Sequence, residues 1–231
     1  MSTAYRRRLV WLFDLDNTLH DASHAVFAML DASMTGYIAR ALRLPEGEAD
    51  FLRRDYWRRY GATLIGLMRH HAIDPADFLH QTHALPGLEA ALRAHAHDKA
   101  ALRALHGRKL VLTNAPASYA RRVLKALDLW REFDGVLSIE DMRMFGHWRP
   151  KPDVRMLQAV LARLKVPAHR CVLVEDTLAH QKSARRLGIR TVWMQRWLRR
   201  NAHGPEVGVY VQRRPSYVHA RIRSLQKLRE L

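Results

Sequence analysis

Two carboxylates one residue apart, Asp14 and Asp16, follow a short apolar run, and a second acidic pair, Glu175-Asp176, follows another. Between them come Thr113-Asn114, also at the end of an apolar run, and Lys151 within Arg149-Pro150-Lys151-Pro152. If those runs are neighbouring parallel strands, the reactive residues meet beyond one sheet edge, where open α/β sheets bind ligands. Converging carboxylates repel one another unless a cation compensates them, so the set implies a divalent metal. Asp14, the backbone carbonyl of Asp16, and Asp176 would make an oxygen site with room for waters, which suits Mg²⁺. A carboxylate beside such an ion can attack a phosphoryl group, giving an aspartyl phosphate that water later hydrolyses. A second carboxylate two positions on can protonate the leaving oxygen and then activate the water. Thr113 and Lys151 have the hydroxyl and the fixed cation needed to hold the equatorial oxygens while charge moves.

Those residues need a scaffold, and the pattern supplies one. Leu9 to Leu15 is a short apolar run ending in a polar loop, as expected of a buried parallel strand. Further strands are predicted at Lys109–Thr113, Gly135–Ile139, Arg170–Val174, Thr191–Met194 and, last, Tyr217–Ile222. Helices are predicted between them: Leu88 to His106, closed at Gly107; Ser118 to Leu127; Pro152-Asp153 to Leu164; and Leu178 to Leu187, closed at Gly188. Strands alternating with helices predict a doubly wound, three-layer α/β sheet with right-handed crossovers. One block breaks the alternation. His24 to Leu42, Glu46 to His71 with an interruption near Gly61, and a short helix after Asp74-Pro75 are all helical. The predicted organisation is therefore an α/β core over residues 1–20 and 85–231, with an all-helical insertion over 21–84.

Composition narrows the class. Of 231 residues 48% are apolar, which excludes wholesale disorder. Arg6-Arg7-Arg8 before the first apolar run imitates a leader, but that run is too short and no small-residue cleavage site follows. With one cysteine, Cys171, no intrachain disulfide is possible. A soluble protein of a reducing cytoplasm, without membrane spans, is expected. Cys171 lies in a strand run and is expected to pack in the core, and most of the six tryptophans are expected to pack in the core or the cap. The net charge is +17, from 32 Arg and 7 Lys against 22 acidic residues. The arginines are dispersed in pairs, as on solvated helix faces, although Arg196 to Leu231 is denser in basic residues. Positive potential of this kind attracts a small phosphorylated substrate.

Asp14-Leu15-Asp16-Asn17-Thr18, Thr113-Asn114, Lys151 and Glu175-Asp176, in that order, resemble the four motifs of the haloacid dehalogenase-like hydrolases. The resemblance implies an α/β core with a helical cap and Mg²⁺-dependent hydrolysis of a phosphomonoester. By position it makes Asp14 the nucleophile and Asp16 the general acid and base. Thr113 and Asn114 bind phosphate, Lys151 tethers nucleophile and phosphate, and Asp176 is a metal ligand helped by Glu175. Dehalogenases of this superfamily lack the second carboxylate of the first motif, because they have no leaving alcohol to protonate; Asp16 therefore implies a phosphatase. His180, four residues after Asp176, departs from the Asn or Asp usual at that position.

A finer resemblance is to the pyrimidine 5'-nucleotidase branch, through Phe13–His20, Tyr60-Gly61-Ala62-Thr63-Leu64, Thr113-Asn114-Ala115-Pro116, Arg149–Pro152 and Val174–Thr177. It implies a nucleoside monophosphate such as UMP or CMP, with Tyr60 stacking on the base and Arg69 or His70 bonding its carbonyl or the ribose. His70 and His71 are adjacent on a helix, diverge by about 100°, and so are not expected to share a metal. Two rivals remain open. One is a phosphatase or phosphomutase acting on a sugar phosphate or another small metabolite. The other, suggested by the +17 charge and His180, is a nucleic-acid-binding protein on an inactive hydrolase scaffold.

Overall fold

A computed structural model of the chain describes residues 9–198 and 214–231. The Arg6-Arg7-Arg8 run and much of the basic stretch after Arg196 lie outside the described residues. Strand β1 (Val10–Phe13) sits inside a six-stranded parallel sheet. Its partners are β2 (Arg108–Leu112), β3 (Gly135–Leu137), β6 (Cys171–Glu175), β7 (Arg190–Met194) and β8 (Ala220–Ile222), in the order β3-β2-β1-β6-β7-β8. The two short strands β4 (Arg143–Met144) and β5 (His147–Trp148) form a separate antiparallel hairpin. Two-residue strands leave no periodicity to read, and the sequence does not announce them.

Strand alternation builds the layers. Trp11 and Phe13 enter one apolar cluster with Val111, Val174, Tyr119 and Leu102, whereas Val10 and Leu12 enter the opposite one with Leu112, Leu157 and Cys171. Cys171 is fully buried, and burial pushes its thiol up to about 11, so it packs as expected. The tryptophan expectation holds for Trp11 and Trp193, but Trp57 is 65% exposed on its helix.

The helical block contains α1 (Val26–Leu42), α2 (Glu46–Tyr60), α3 (Thr63–His71) and α4 (Pro75–Thr82). Asp74 caps α4, its side chain accepting from the Ala76 amide, with Pro75 in the first turn. Tyr37, Ile38, Tyr56, Leu67 and Phe78 share an apolar cluster of their own, joined by Ile139 from the region after β3. Gly61, with φ of +76°, turns the chain between α2 and α3. Gly66 is demanded by packing: a Cβ there would lie 2.2 Å from Tyr56 Cγ.

The helix predicted over Leu88 to His106 is instead two short ones, α5 (Leu88–Ala91) and α6 (Asp98–Ala104). The Arg93 carbonyl accepts from the Asp21 amide at 2.7 Å, a tertiary bond that displaces a helical one. Helices α7 (Ala117–Ala126), α8 (Val154–Leu164) and α9 (Leu178–Arg186) lie within two residues of expectation. Among the described residues no helix is long and apolar enough to cross a membrane.

Candidate active site

Parallel pairing sets Phe13 opposite Val111 on one side and Val174 on the other. The next residues of the three strands, Asp14, Leu112-Thr113 and Glu175, therefore emerge along one edge. The chain crosses from β1 to β2 on one side and β6 lies on the other, so the crevice opens beside Asp14. Backbone pairing fixes its height, since the Asp14 amide donates to the Val174 carbonyl at 2.9 Å.

Lys151, 2% exposed, reaches this edge from the loop before α8. Its Nζ donates to Asp14 Oδ1 at 2.6 Å and to Glu175 Oε2 at 2.8 Å. Thr18 Oγ1 donates to Asp14 Oδ2 at 3.0 Å. Glu175 is gripped further: Oε1 accepts from the Thr177 amide, Oε2 lies 3.0 Å from His180 Nδ1, and Gln181 Nε2 donates to its backbone carbonyl. Asn114 faces Lys151. Its Oδ1 accepts from the Lys151 amide at 2.8 Å and its Nδ2 donates to the Lys151 carbonyl at 3.0 Å. The Asn114 side chain is thus engaged in placing the lysine. Thr113 is buried, with Oγ1 accepting from the Ala115 amide.

Electrostatics follow from this crowding. Burial, then the charge of Glu175, raises the Asp14 carboxyl to about 6, despite the opposing pull of Lys151. Burial and the charges of Glu175 and Asp14 hold Asp176 well above the usual carboxylate range. For Glu175 burial also pushes upward, but Lys151 and His180 more than reverse it, leaving it below that range. Three carboxylates against one ammonium is an electrostatically incomplete set. Oxygens of Asp14, Glu175 and Asp176 lie within 4.8 Å of one another, and an all-oxygen donor set of that span fits a hard divalent cation such as Mg²⁺.

Asp16 stands apart from that cluster. Its Oδ1 accepts from Tyr119 Oη at 2.6 Å and contacts His20 Nε2 at 2.9 Å. Burial pushes this carboxyl up, but the bonds from His20 and Tyr119 outweigh it and hold it below its ordinary value. Neither partner was assigned a role from sequence. His20 lies two residues past the first motif, whereas Tyr119 is one apolar-face residue of an amphipathic helix and carries no local signal.

The three residues expected to read the substrate are gathered in the helical block. Tyr60 Oη is 2.7 Å from His70 Nε2, and the Arg69 guanidinium lies 5.0 Å over the Tyr60 ring. His71 bonds instead to Tyr56, at 2.7 Å, so the adjacent histidines take different hydrogen-bond partners, although the His70 ring also stacks on Tyr56. The turn beside Tyr60 lies against the Lys151-Pro152 loop: a Cβ on Gly61 would lie 3.5 Å from Cδ of Pro152.

The family model of haloacid dehalogenase-like hydrolases matches residues 10–188. The chain is 29% identical over 140 residues to "Phosphate metabolism protein 8" of Saccharomyces cerevisiae, covering 56% of this chain and 43% of that protein. The chain thus spans less than half the length of this curated relative. A HAD phosphatase from Thermococcus onnurineus superposes with a TM-score of 0.62 at 20% identity over 96% of each chain. A HAD-hydrolase from Bacillus subtilis, bound to magnesium, gives 0.60 at 17% identity over 97% of this chain and 98% of its own. The L-2-haloacid dehalogenase PA0810 gives 0.59 at 20% identity over 96% and 98%. At these identities the likeness establishes the fold, and the fold is shared by phosphatases and dehalogenases alike.

Proposed function

The chain belongs to the haloacid dehalogenase-like hydrolases, and from that premise we propose that it is a phosphomonoesterase acting through a phosphorylated Asp14. The observation that carries this reading is Asp16. A dehalogenase has no use for a second carboxylate, and here one is half-buried, bonded and placed two residues from the nucleophile.

In the first half-reaction an Asp14 oxygen bonds to phosphorus as the bond to the leaving oxygen breaks, and Asp16 gives that oxygen its proton. Free Asp16 is ionised, and the negative charge of an arriving phosphate raises its affinity for the proton it must deliver. In the second half Asp16 takes a proton from water, the water oxygen bonds to phosphorus, and the Asp14–phosphorus bond breaks. Lys151 holds Asp14 in place and lies beside the oxygens that gain charge. Asp14, Glu175 and Asp176, with the Asp16 carbonyl, would hold Mg²⁺, which when bound neutralises phosphoryl charge and screens the carboxylates from one another. The helical block, roughly residues 21–84, serves as the cap over the core formed by 1–20 and 85–231.

We infer further that the substrate is a nucleoside monophosphate, with UMP or CMP preferred. Support comes from the Tyr60–His70–Arg69 cluster, whose turn lies against the Lys151-Pro152 loop. An aromatic face flanked by two donors suits a base. Phosphate release from a panel of UMP, CMP, AMP, GMP and small sugar phosphates, with Mg²⁺ and with a chelator, tests both levels. No release from any member overturns the phosphatase. Sugar phosphates turned over as well as UMP overturn only the nucleotidase.

A further inference from the structure

A carboxylate that must both give and take a proton at the reacting phosphoryl group needs a defined orientation, because its two oxygens cannot share the task. In Asp16 they are unequal. Oδ1 accepts the Tyr119 hydroxyl at 2.6 Å and meets His20 Nε2 at 2.9 Å, whereas Oδ2 takes no hydrogen bond from the described residues. His20 is fully buried and its Nδ1 finds no partner, so its one side-chain bond is made by Nε2, which with the proton on it donates to Asp16.

Tyr119 is as constrained as the group it holds. Its side chain is fully buried in the layer under β1, with the His83 ring at 5.7 Å, edge to face. One turn further along α7, Arg122 grips the stretch that returns from the helical block: it donates to the Ala84 and Leu85 carbonyls and pairs with Glu89. The helix carrying Tyr119 is thereby tied to the chain at both ends of the insertion, through Asp16 before it and Ala84-Leu85 after it.

We propose that Tyr119, assisted by His20, is a positioning residue for Asp16, holding Oδ1 so that Oδ2 is the oxygen that carries the proton. This rests on the reading of Asp16 as acid and base given above. In the first step the Oδ2–H bond breaks as the proton passes to the bridging oxygen leaving phosphorus. In the second, a water proton returns to Oδ2 as the water oxygen bonds to phosphorus and Asp14 departs.

The test exploits the leaving group. p-Nitrophenolate leaves without protonation, whereas an alkoxide does not. Tyr119→Phe removes one hydroxyl and keeps the ring. Its kcat/KM on a nucleoside monophosphate or glycerol phosphate should fall about tenfold, part of the ~10²–10⁴ that a positioned acid contributes, with little change on p-nitrophenyl phosphate. A merely structural role would lower both alike. Equal losses on the two esters, or no loss on either, overturn the proposal. A crystal structure of Tyr119→Phe reads the same claim without turnover: a rotated Asp16 carboxylate bears it out, and an unchanged rotamer overturns it. If the wild-type chain hydrolyses neither ester, the phosphatase reading fails, and the rotamer still decides the positioning role.

Discussion

The Lys151 ammonium stands 2.6 Å from the Asp14 carboxylate across 137 residues of chain, and both groups are buried. Such a contact holds two charges in a setting where neither is stable alone. Removing the cation strands Asp14 and Glu175 together. We expect Lys151→Met to lower stability by roughly 3 kcal/mol at neutral pH in chelator, as read from the urea midpoint. A loss below about 1 kcal/mol would show that the carboxylates relax to solvent and that the pairing is not what holds this edge together.

Metal should act on the fold as well as on turnover. The oxygens of Asp14, Glu175 and Asp176 are crowded within 4.8 Å only in the folded chain, so Mg²⁺ held there would stabilise the folded state over the unfolded one. Thermal unfolding is expected to shift upward with added Mg²⁺, in proportion to the logarithm of its concentration above Kd. The shift should vanish in Asp176→Asn. A wild-type melting temperature indifferent to millimolar Mg²⁺ would contradict the site.

Gly66 and Gly47 make a paired test of packing in the helical block. A Cβ on Gly66 would enter the Tyr56 ring, at 2.2 Å from Cγ, whereas one on Gly47 meets nothing within 4 Å. Gly66→Ala should cost about 1–3 kcal/mol through overpacking. Gly47→Ala, also within a helix, should stabilise by up to about 1 kcal/mol. Denaturant titration of both variants checks the contrast, and equal effects would refute the close approach of α2 and α3.

His83 predicts the acid limb of stability. Burial, against the opposing influence of Asp16, pushes its imidazole down to about 4 from 6.5. The folded chain therefore keeps the ring neutral while the unfolded chain protonates it. Above pH 6.5 both states are neutral and stability is fully present; it is lost as pH falls from 6.5 toward 4. At pH 4.5 this group should cost about 2–3 kcal/mol relative to pH 7.5. Urea midpoints at the two pH values for wild type and His83→Gln isolate it. An unchanged slope in the variant would assign the acid limb to other groups.

The motifs were legible because chemistry and topology coincide in this fold. Short apolar runs at Leu9–Leu15 and Arg170–Val174 announce buried strands, and the parallel register then brings Asp14 and Glu175 to one edge whatever the rest of the chain does. Lys151 could be chosen from sequence because its Arg-Pro-Lys-Pro setting marks it out among 39 basic side chains. Other relationships have no local signature. The break after Ala91 is made by a bond from Asp21, some seventy residues earlier in the chain. Asn114 is engaged by Lys151, 37 residues away, and Tyr119 by Asp16, 103 residues away. Residue type and spacing determined which groups could react and on which strands they lie, since those depend on periodicities of two and 3.6 residues. Only the tertiary structure decided which side-chain atoms are already engaged. A hydrogen bond is settled by distance and angle between groups from different elements, and nothing in either local sequence encodes that geometry.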